Sequence, residues 1–275
     1  TLTPEPLAWL VGLASHWQWA YAGLALVGAT LALSLSSGHR WHVLVPLGMV
    51  AVAWLHQSLG AKAVTSADAP HASLTVASAN LNFARTDHAA LAAWLLSATG
   101  PDVIAVQEFT PSALAAVNAP AILAAYPHRV LVPNDDQFGL GVLSKVPIAS
   151  VEKVAPADSL ATLKLRLLLD VRGNKVALTA VHPMPPISAD YARERDASRL
   201  ARAGIPGILL GDMNDTPWST GLRAAAPLRR ANGLEPTWPN AWGWLSILPL
   251  DHVLVTPSIK VEGASPGPDL GSDHR

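Results

Sequence analysis

Hydrophobic positions follow two different patterns along this chain. From Trp19 to Gly38 (WAYAGLALVGATLALSLSSG) and from Trp41 to Gly60 (WHVLVPLGMVAVAWLHQSLG), apolar residues continue without a polar stripe. Each run is close to the ~20 residues that cross a hydrocarbon core, and a helix of a water-soluble domain shows a polar face that these lack. The spacing predicts two transmembrane helices, 19–38 and 41–60, joined by the tight turn SSGHR, with two buried helices of a soluble core as the alternative. The stretch TPEPLAWLVGLASHWQW before them is also apolar and predicts the end of an earlier span or an interfacial segment. Trp17, Trp19 and Trp41 lie near the ends of the runs, where aromatic belts form.

Beyond residue 60 the pattern changes. Residues 61–72 are small and polar and form a linker between the membrane segment, 1–60, and a globular domain, 73–275. LTVASANLN alternates as a strand does, TDHAALAAWLLSATGP has helical spacing, and DVIAVQE is a buried strand. Strand, helix, strand at this distance makes a βαβ unit. GLGVLSK and PIASVEKV are short strands, and ATLKLRLLLDVRGNKVALTAVH is a hairpin about an Arg-Gly-Asn-Lys turn. SADYARERDASRLARAG is a helix opened by Ser188, while IPGILLGDMND and PLDHVLVTP are strands. Mixed parallel and hairpin connections with interspersed helices predict an α/β domain of two packed sheets with helices outside.

Charge sharpens this division. Only 14% of residues are charged, and none lies between Glu5 and Arg40 or between Arg40 and Lys62. The net charge of −1 supplies no large basic field for nucleic acid. Without cysteine there is no disulfide and no thiolate metal site. Arg40, with His39, in the turn between the two runs favours a cytoplasmic turn and so a globular domain on the outer, periplasmic face of a bacterial inner membrane, while Lys62 after the second run argues for the opposite orientation.

The chemistry-bearing residues fall at strand ends: Asn80 in SANLN, Glu108 after VIAVQ, His182 after LTAV, Asp212 and Asn214 in ILLGDMND, Asp251 in PLDHVLV, and Asp273 and His274 in GSDHR. Rigid strands aim such rim residues at a common point. Oxygen ligands without cysteine suit a hard cation, Mg²⁺ or Mn²⁺, and Glu108 with Asn80 meets that need. A histidine held by a carboxylate can stabilise charge developing on a phosphoryl group, and Asp212 can orient or deprotonate a water. Each residue alone also suits a plain turn or strand end, and GDMND alone suits an Asx turn. The joint pattern is what points to chemistry.

These segments, in this order, resemble the endonuclease/exonuclease/phosphatase superfamily, and most of all its bacterial membrane-anchored members. The resemblance covers roughly Ser73 to Arg275. It implies a four-layer αββα sandwich and metal-dependent hydrolysis of phosphodiesters or phosphomonoesters. By position it implies Asn80 and Glu108 as metal-site residues, with Asp273 as a second acidic metal-site position. It implies His182 as a phosphate contact, Asp212 as the water-activating or water-aligning acid with Asn214 beside it, and Asp251 as the partner that orients the catalytic His274. The family's last strand, expected after SDHR, is missing, which predicts a truncated chain. DDQFGLG offers Phe138 where some nuclease members use a tyrosine.

The expected activity is that of a membrane-anchored, metal-dependent phosphoesterase attacking by an activated water, with a lipid headgroup, a small phosphodiester or nucleic acid as substrate. No obligate protein partner is expected. The alternatives are a metal-dependent nuclease and a non-catalytic membrane-bound scaffold of the same fold. Arg193, Arg195, Arg199 and Arg202 are interleaved with Asp190, Glu194 and Asp196, the pattern of a solvated face more than of a duplex-binding surface. The chain lacks Gly-x-Ser-x-Gly, so a serine hydrolase is excluded. It also lacks the Asp-x-His and Gly-Asn-His motifs of calcineurin-like phosphatases. TWPNAWGWLSILP, residues 237–249, is the expected substrate- or membrane-facing loop, or a flap against the domain.

Overall fold

The structure is a computed structural model that describes residues 5–35, 48, 72–156, 161–192, 206–223, 225 and 227–275. Two helices come first, α1 (Glu5–Ser15) and α2 (Gln18–Leu35). The domain then runs β1 (Val76–Asn80), α3 (Ala89–Leu95), β2 (Val103–Gln107), α4 (Pro111–Val117), α5 (Pro120–Ala125), β3 (His128–Val132) and β4 (Leu140–Ser144). It continues with β5 (Ile148–Val154), β6 (Lys164–Val171), β7 (Asn174–Val181), β8 (Gly207–Asp212), α6 (Thr220–Arg223), β9 (Arg229–Arg230), a 3₁₀ turn (Asn240–Leu245) and β10 (Asp251–Val255).

The strands form two mixed sheets, ordered β1-β2-β4-β3 and β5-β6-β7-β8-β10-β9. The period-2 alternation of the sequence decides what each face meets. Val103 and Ala105 of β2 join Leu165, Leu167 and Leu169 of β6, Leu178 and Ala180 of β7, and Ile208 and Leu210 of β8 in the core between the sheets. Their neighbours Ile104 and Val106 face outward, where Leu91, Leu95, Ala113, Val117, Ile122 and Tyr126 cover them from α3, α4, α5 and the residue after α5. Leu209 likewise faces away from the inter-sheet core and packs with Val181, Met213, Leu222 and Leu254. Each fully buried leucine of this kind contributes about 1.5–3 kcal/mol relative to exposure.

Two connections are local in origin. The β6–β7 hairpin turns on Arg172 (φ 54°) and Gly173 (φ 86°), both left-handed, as a two-residue turn matched to strand twist requires. In β8, Gly211 (φ 152°) lies against the backbone carbonyl of Val181, so a Cβ there would fall on that oxygen. Glycine thus lets β8 approach β7 one residue before Asp212.

The predicted span 19–38 becomes α2, 18 residues long. Among the described residues no helix is long and apolar enough to cross a membrane. The expectation of a transmembrane helix there is corrected to that extent. At ~1.5 Å per residue its 18 residues make about 27 Å, short of a hydrocarbon core of ~30 Å, and at its N-terminal end Trp19 meets Trp218 of the domain edge-on, with ring centroids 6.0 Å apart. The predicted span 41–60 lies outside the described residues apart from Gly48, as does the linker apart from Ala72. Arg193, Glu194, Arg195, Asp196, Arg199 and Arg202 lie outside them too.

Candidate active site

Strand register assembles the site where the two sheets meet. Parallel pairing sets Asn80 opposite Gln107, so Asn80 and Glu108 leave the four-stranded sheet side by side. Asn80 Nδ2 donates to Glu108 Oε1 at 2.9 Å and, across the seam, to Asp212 Oδ2 at 3.1 Å. Asn80 Oδ1 accepts from the Asn82 amide at 2.9 Å, and Glu108 Oε2 accepts from the Phe83 amide at 2.7 Å. Glu108 has φ 53°, a left-handed conformation that costs a non-glycine residue of order 1 kcal/mol or more. The bonds to Asn80 and Phe83 hold it there.

The six-stranded sheet supplies the remaining groups. Antiparallel pairing of β8 with β10 sets Asp251 directly opposite Asp212. His274 donates through Nδ1 to Asp251 Oδ2 at 2.9 Å and turns Nε2 toward Asp212 Oδ2 at 3.5 Å. His182, next to the end of β7, donates through Nδ1 to the Gln137 carbonyl at 3.1 Å and also faces Asp212 Oδ2, at 3.5 Å through Nε2. Asp212 Oδ1 accepts from the Asn214 amide at 2.8 Å, and Asn214 Nδ2 donates to the Pro183 carbonyl at 2.9 Å. Ser272 Oγ accepts from the His274 amide at 3.1 Å and fixes the final turn.

Electrostatics follow from this geometry. Burial opposes a charge on His274, but the Asp251 and Asp212 carboxylates outweigh it and push its pKa up to about 10. Burial likewise opposes a charge on His182, and Asp212 with Glu108 raises it nonetheless. Burial works to raise Asp212, yet His274 and His182 hold its carboxyl well below the usual range. The site therefore contains an ionised acid between imidazole donors, sheltered from water.

Asp273 is placed differently. Its Oδ2 accepts from Trp238 Nε1 at 3.1 Å and its carbonyl accepts from the Asn240 amide at 2.7 Å. It fastens the 237–249 loop to the SDH turn. One end of that loop is packed on Asp273, while Trp242 and Leu245 are exposed.

The donor set fits a divalent cation. Asp212, Asp251 and His274 are buried with ligand atoms within 4.8 Å of one another, but the protonated His274 ring serves there as a donor to Asp251, so the groups open to an ion are carboxylate oxygens. Glu108 Oε1 and Asp212 Oδ2 approach the same Asn80 nitrogen, so two carboxylates converge on one point. Such convergence suits a hard cation.

Sequence reasoning left two residues of this neighbourhood unassigned. Asp215 is fully buried and His16 nearly so, and they face each other across the domain surface. The available signals were the second acid of GDMND and a lone histidine in a chargeless apolar stretch.

Two mixed sheets with acids, an asparagine and histidines at their shared rim define the class of metal-dependent phosphoesterases. Residues 77–274 match the model of the endonuclease/exonuclease/phosphatase family, and the chain belongs to that family. Among solved structures, the endonuclease/exonuclease/phosphatase from Bacteroides vulgatus has a TM-score of 0.58 at 14% identity, covering 73% of this chain and 95% of that one. Humanized D. rerio TDP2 gives 0.56 at 18%, covering 73% and 95%. Sphingomyelinase C from Streptomyces griseocarneus gives 0.53 at 19%, covering 67% and 84%. Comparison with curated proteins gives no significant match.

Proposed function

We propose that the chain is a divalent-metal-dependent phosphoesterase that hydrolyses a phosphodiester or phosphomonoester by in-line attack of water. The observation that carries this reading is the Asp251–His274–Asp212 array, with its 2.9 Å bond on one ring nitrogen and a carboxylate at 3.5 Å from the other. Asp251 keeps the His274 ring oriented and protonated, so Nε2 presents a donor to phosphoryl oxygens. His182 Nε2 presents a second donor. Asp212, held ionised, orients or deprotonates the attacking water, and Asn214 fixes the loop that carries it. Glu108 and Asn80, with Asp212 at their side, are the residues that would hold Mg²⁺ or Mn²⁺. Bound there, the ion supplies Lewis-acid stabilisation of phosphoryl charge. We assign Asp273, through its bond to Trp238, to holding the rim loop rather than to the ion.

For the substrate we favour a lipid headgroup or other small phosphodiester met at a bacterial inner membrane, with the domain on the outer face. The apolar runs of the N-terminal segment support membrane association. So do Leu24, Leu26, Val27 and Leu31, which α2 leaves exposed. Phe83, whose amide bonds Glu108, and Phe138, next to the Gln137 that bonds His182, are also exposed, as are Trp242 and Leu245 in the loop fastened to Asp273. Such an apolar rim suits an amphiphile better than a polyanion. Sphingomyelinase C shares the fold. D. rerio TDP2, solved with a single-strand DNA product, shares it too and keeps a nuclease as the second reading, though the net charge of −1 argues against it.

The test is hydrolysis of bis-p-nitrophenyl phosphate with Mg²⁺ or Mn²⁺ by wild type, His274→Ala and Glu108→Ala. Activity confined to wild type is the expected result, and equal rates in all three would overturn the reading. Phospholipid vesicles, nucleotides and single-stranded DNA, assayed in parallel, rank the substrate classes.

A further inference from the structure

We infer that the α1–α2 corner is part of the active site's framework, and that His16 is a positioning residue for the loop carrying Asp212 and Asn214. The inference rests on the phosphoesterase reading only for its effect on turnover.

Residues 212–219 leave β8 and form the inner rim. Asp215 and Thr216 in this loop are fully buried. A carboxylate without solvent is costly unless polar groups surround it. The Asp215 carboxylate accepts from the Thr216 amide at 3.0 Å, and His16 Nε2 lies 3.6 Å from its Oδ1. That is ion-pair range, longer than a hydrogen bond. The other ring nitrogen of His16 meets Thr216 Oγ1 at 3.2 Å. His16 sits in the turn between α1 and α2 and is itself only 6% exposed. One imidazole from the N-terminal helices therefore grips two successive residues of the loop.

The grip extends to both sides. In α2, Trp19 meets Trp218 edge-on at 6.0 Å. In α1, Trp9 Nε1 donates to the Pro186 carbonyl at 2.9 Å, in the segment that follows His182. Asn214 already joins these two segments through its bond to the Pro183 carbonyl. On the domain side, His252 Nε2 donates to the Asp215 carbonyl at 2.9 Å, from the strand position beside Asp251. The helix pair thus clamps the His182 loop and the Asp212 loop from outside, while β10 holds Asp215 from within. A displacement of α1–α2 would shift Asp212 and Asn214 relative to His182, and misplacement by ~1 Å can cost ~100-fold in rate.

The experiment compares the full-length wild type with His16→Ala, His16→Gln and Asp215→Asn. Amide hydrogen exchange is read over residues 207–219, with β3 and β4 as internal reference, beside steady-state kinetics on bis-p-nitrophenyl phosphate and Mg²⁺. In His16→Ala we expect exchange of 207–219 to speed up about tenfold or more while β3–β4 stays unchanged. We expect kcat to fall about tenfold or more with KM within about twofold, because the loss is one of alignment. His16→Gln keeps a donor toward Asp215 and should recover a large part of kcat. Unchanged exchange over 207–219 in His16→Ala would overturn the inference. So would a kcat loss that merely follows the folded fraction and is not recovered by His16→Gln. Should His16→Ala fail to fold, Trp19→Phe and Asp215→Asn carry the same exchange comparison, with His16→Gln as the variant expected to stay near wild type. If wild type itself shows no hydrolysis, only the phosphoesterase reading falls, and exchange still decides whether the clamp exists.

Discussion

The two sheets bring different chemistry to one rim. The four-stranded sheet contributes Asn80 and Glu108, neighbours by parallel register, linked to each other and to backbone amides. It contributes no histidine to the cluster and resembles a docking place for a cation. The six-stranded sheet and the SDH turn contribute Asp212, Asp251, His182 and His274, in which every imidazole faces a carboxylate. That half resembles a device for keeping rings oriented and charged. Asn80 Nδ2, shared between Glu108 and Asp212, is the join. The difference teaches that the two halves should fail in different ways.

The largest effect should come from the six-stranded half. Asp212→Asn or His274→Ala should lower kcat by about 10³-fold or more, since each removes a group aimed at developing charge. Raising Mg²⁺ should not restore His274→Ala. Glu108→Gln should cost about 10²-fold, with the concentration of Mg²⁺ needed for half-maximal rate moved upward and the rate partly recovered at high Mg²⁺. If Mg²⁺ titrations of Glu108→Gln and His274→Ala have the same shape, the division between the halves is wrong.

Asp251→Asn should be milder, about 10- to 100-fold in kcat, because the ring loses its orienting charge and keeps a partner. A pH–rate profile of this variant should show its upper limb moved to lower pH, as His274 loses the carboxylate that raises its pKa. The smallest effect is on stability. The folded-state pKa of His274 is raised from 6.5 to about 10. Its contribution is therefore fully present below pH 6.5 and is lost as pH rises through about 10. His182 is raised as well and acts in the same direction. Thermal unfolding of the metal-free protein should show a midpoint that declines from neutral to alkaline pH, with a shallower decline in His274→Gln. An equal slope in both proteins would count against the charged ring.

Much of this was legible in the chain. β8 could be read from ILLGD because a continuous apolar run between Pro206 and a polar pair has few other solutions, and the structure gives Gly207–Asp212. The β6–β7 hairpin follows from the alternation of KLRLLLDV, broken only at Leu168, and a turn containing glycine. The short helices α4 and α5 and strand β3 were passed over. Pro111 after the capping Thr110 does mark the start of α4, but α4 and α5 each carry only two large apolar residues, too few to trace a helical face, where the equally short α3 has Leu91, Trp94 and Leu95. At the site, the strand-end positions of Asn80, Glu108, His182, Asp212, Asn214, Asp251 and His274 were readable, since polar residues that close apolar strands have to face a rim. The partner of Asp273 was not, because Trp238 is distant in sequence and nothing local announces that bond. The link of His16 to Asp215 and Thr216 is hidden for the same reason, since an apolar stretch names no polar partner.

By itself the sequence determined the alternation that splits each strand into an inner and an outer face. It also determined the glycine that lets β8 approach β7, the acids and histidines at strand ends, and the apolar character of the N-terminal segment. These are local properties, fixed by side-chain chemistry and a backbone period. That Asp251 lies opposite Asp212, that one imidazole reaches both, that Asp273 turns to Trp238 and that His16 of the first two helices meets the loop after β8 came from the folded chain alone. Those are pairings between segments far apart in the chain. The free energy that selects them comes from burying polar groups with partners that the local sequence cannot name.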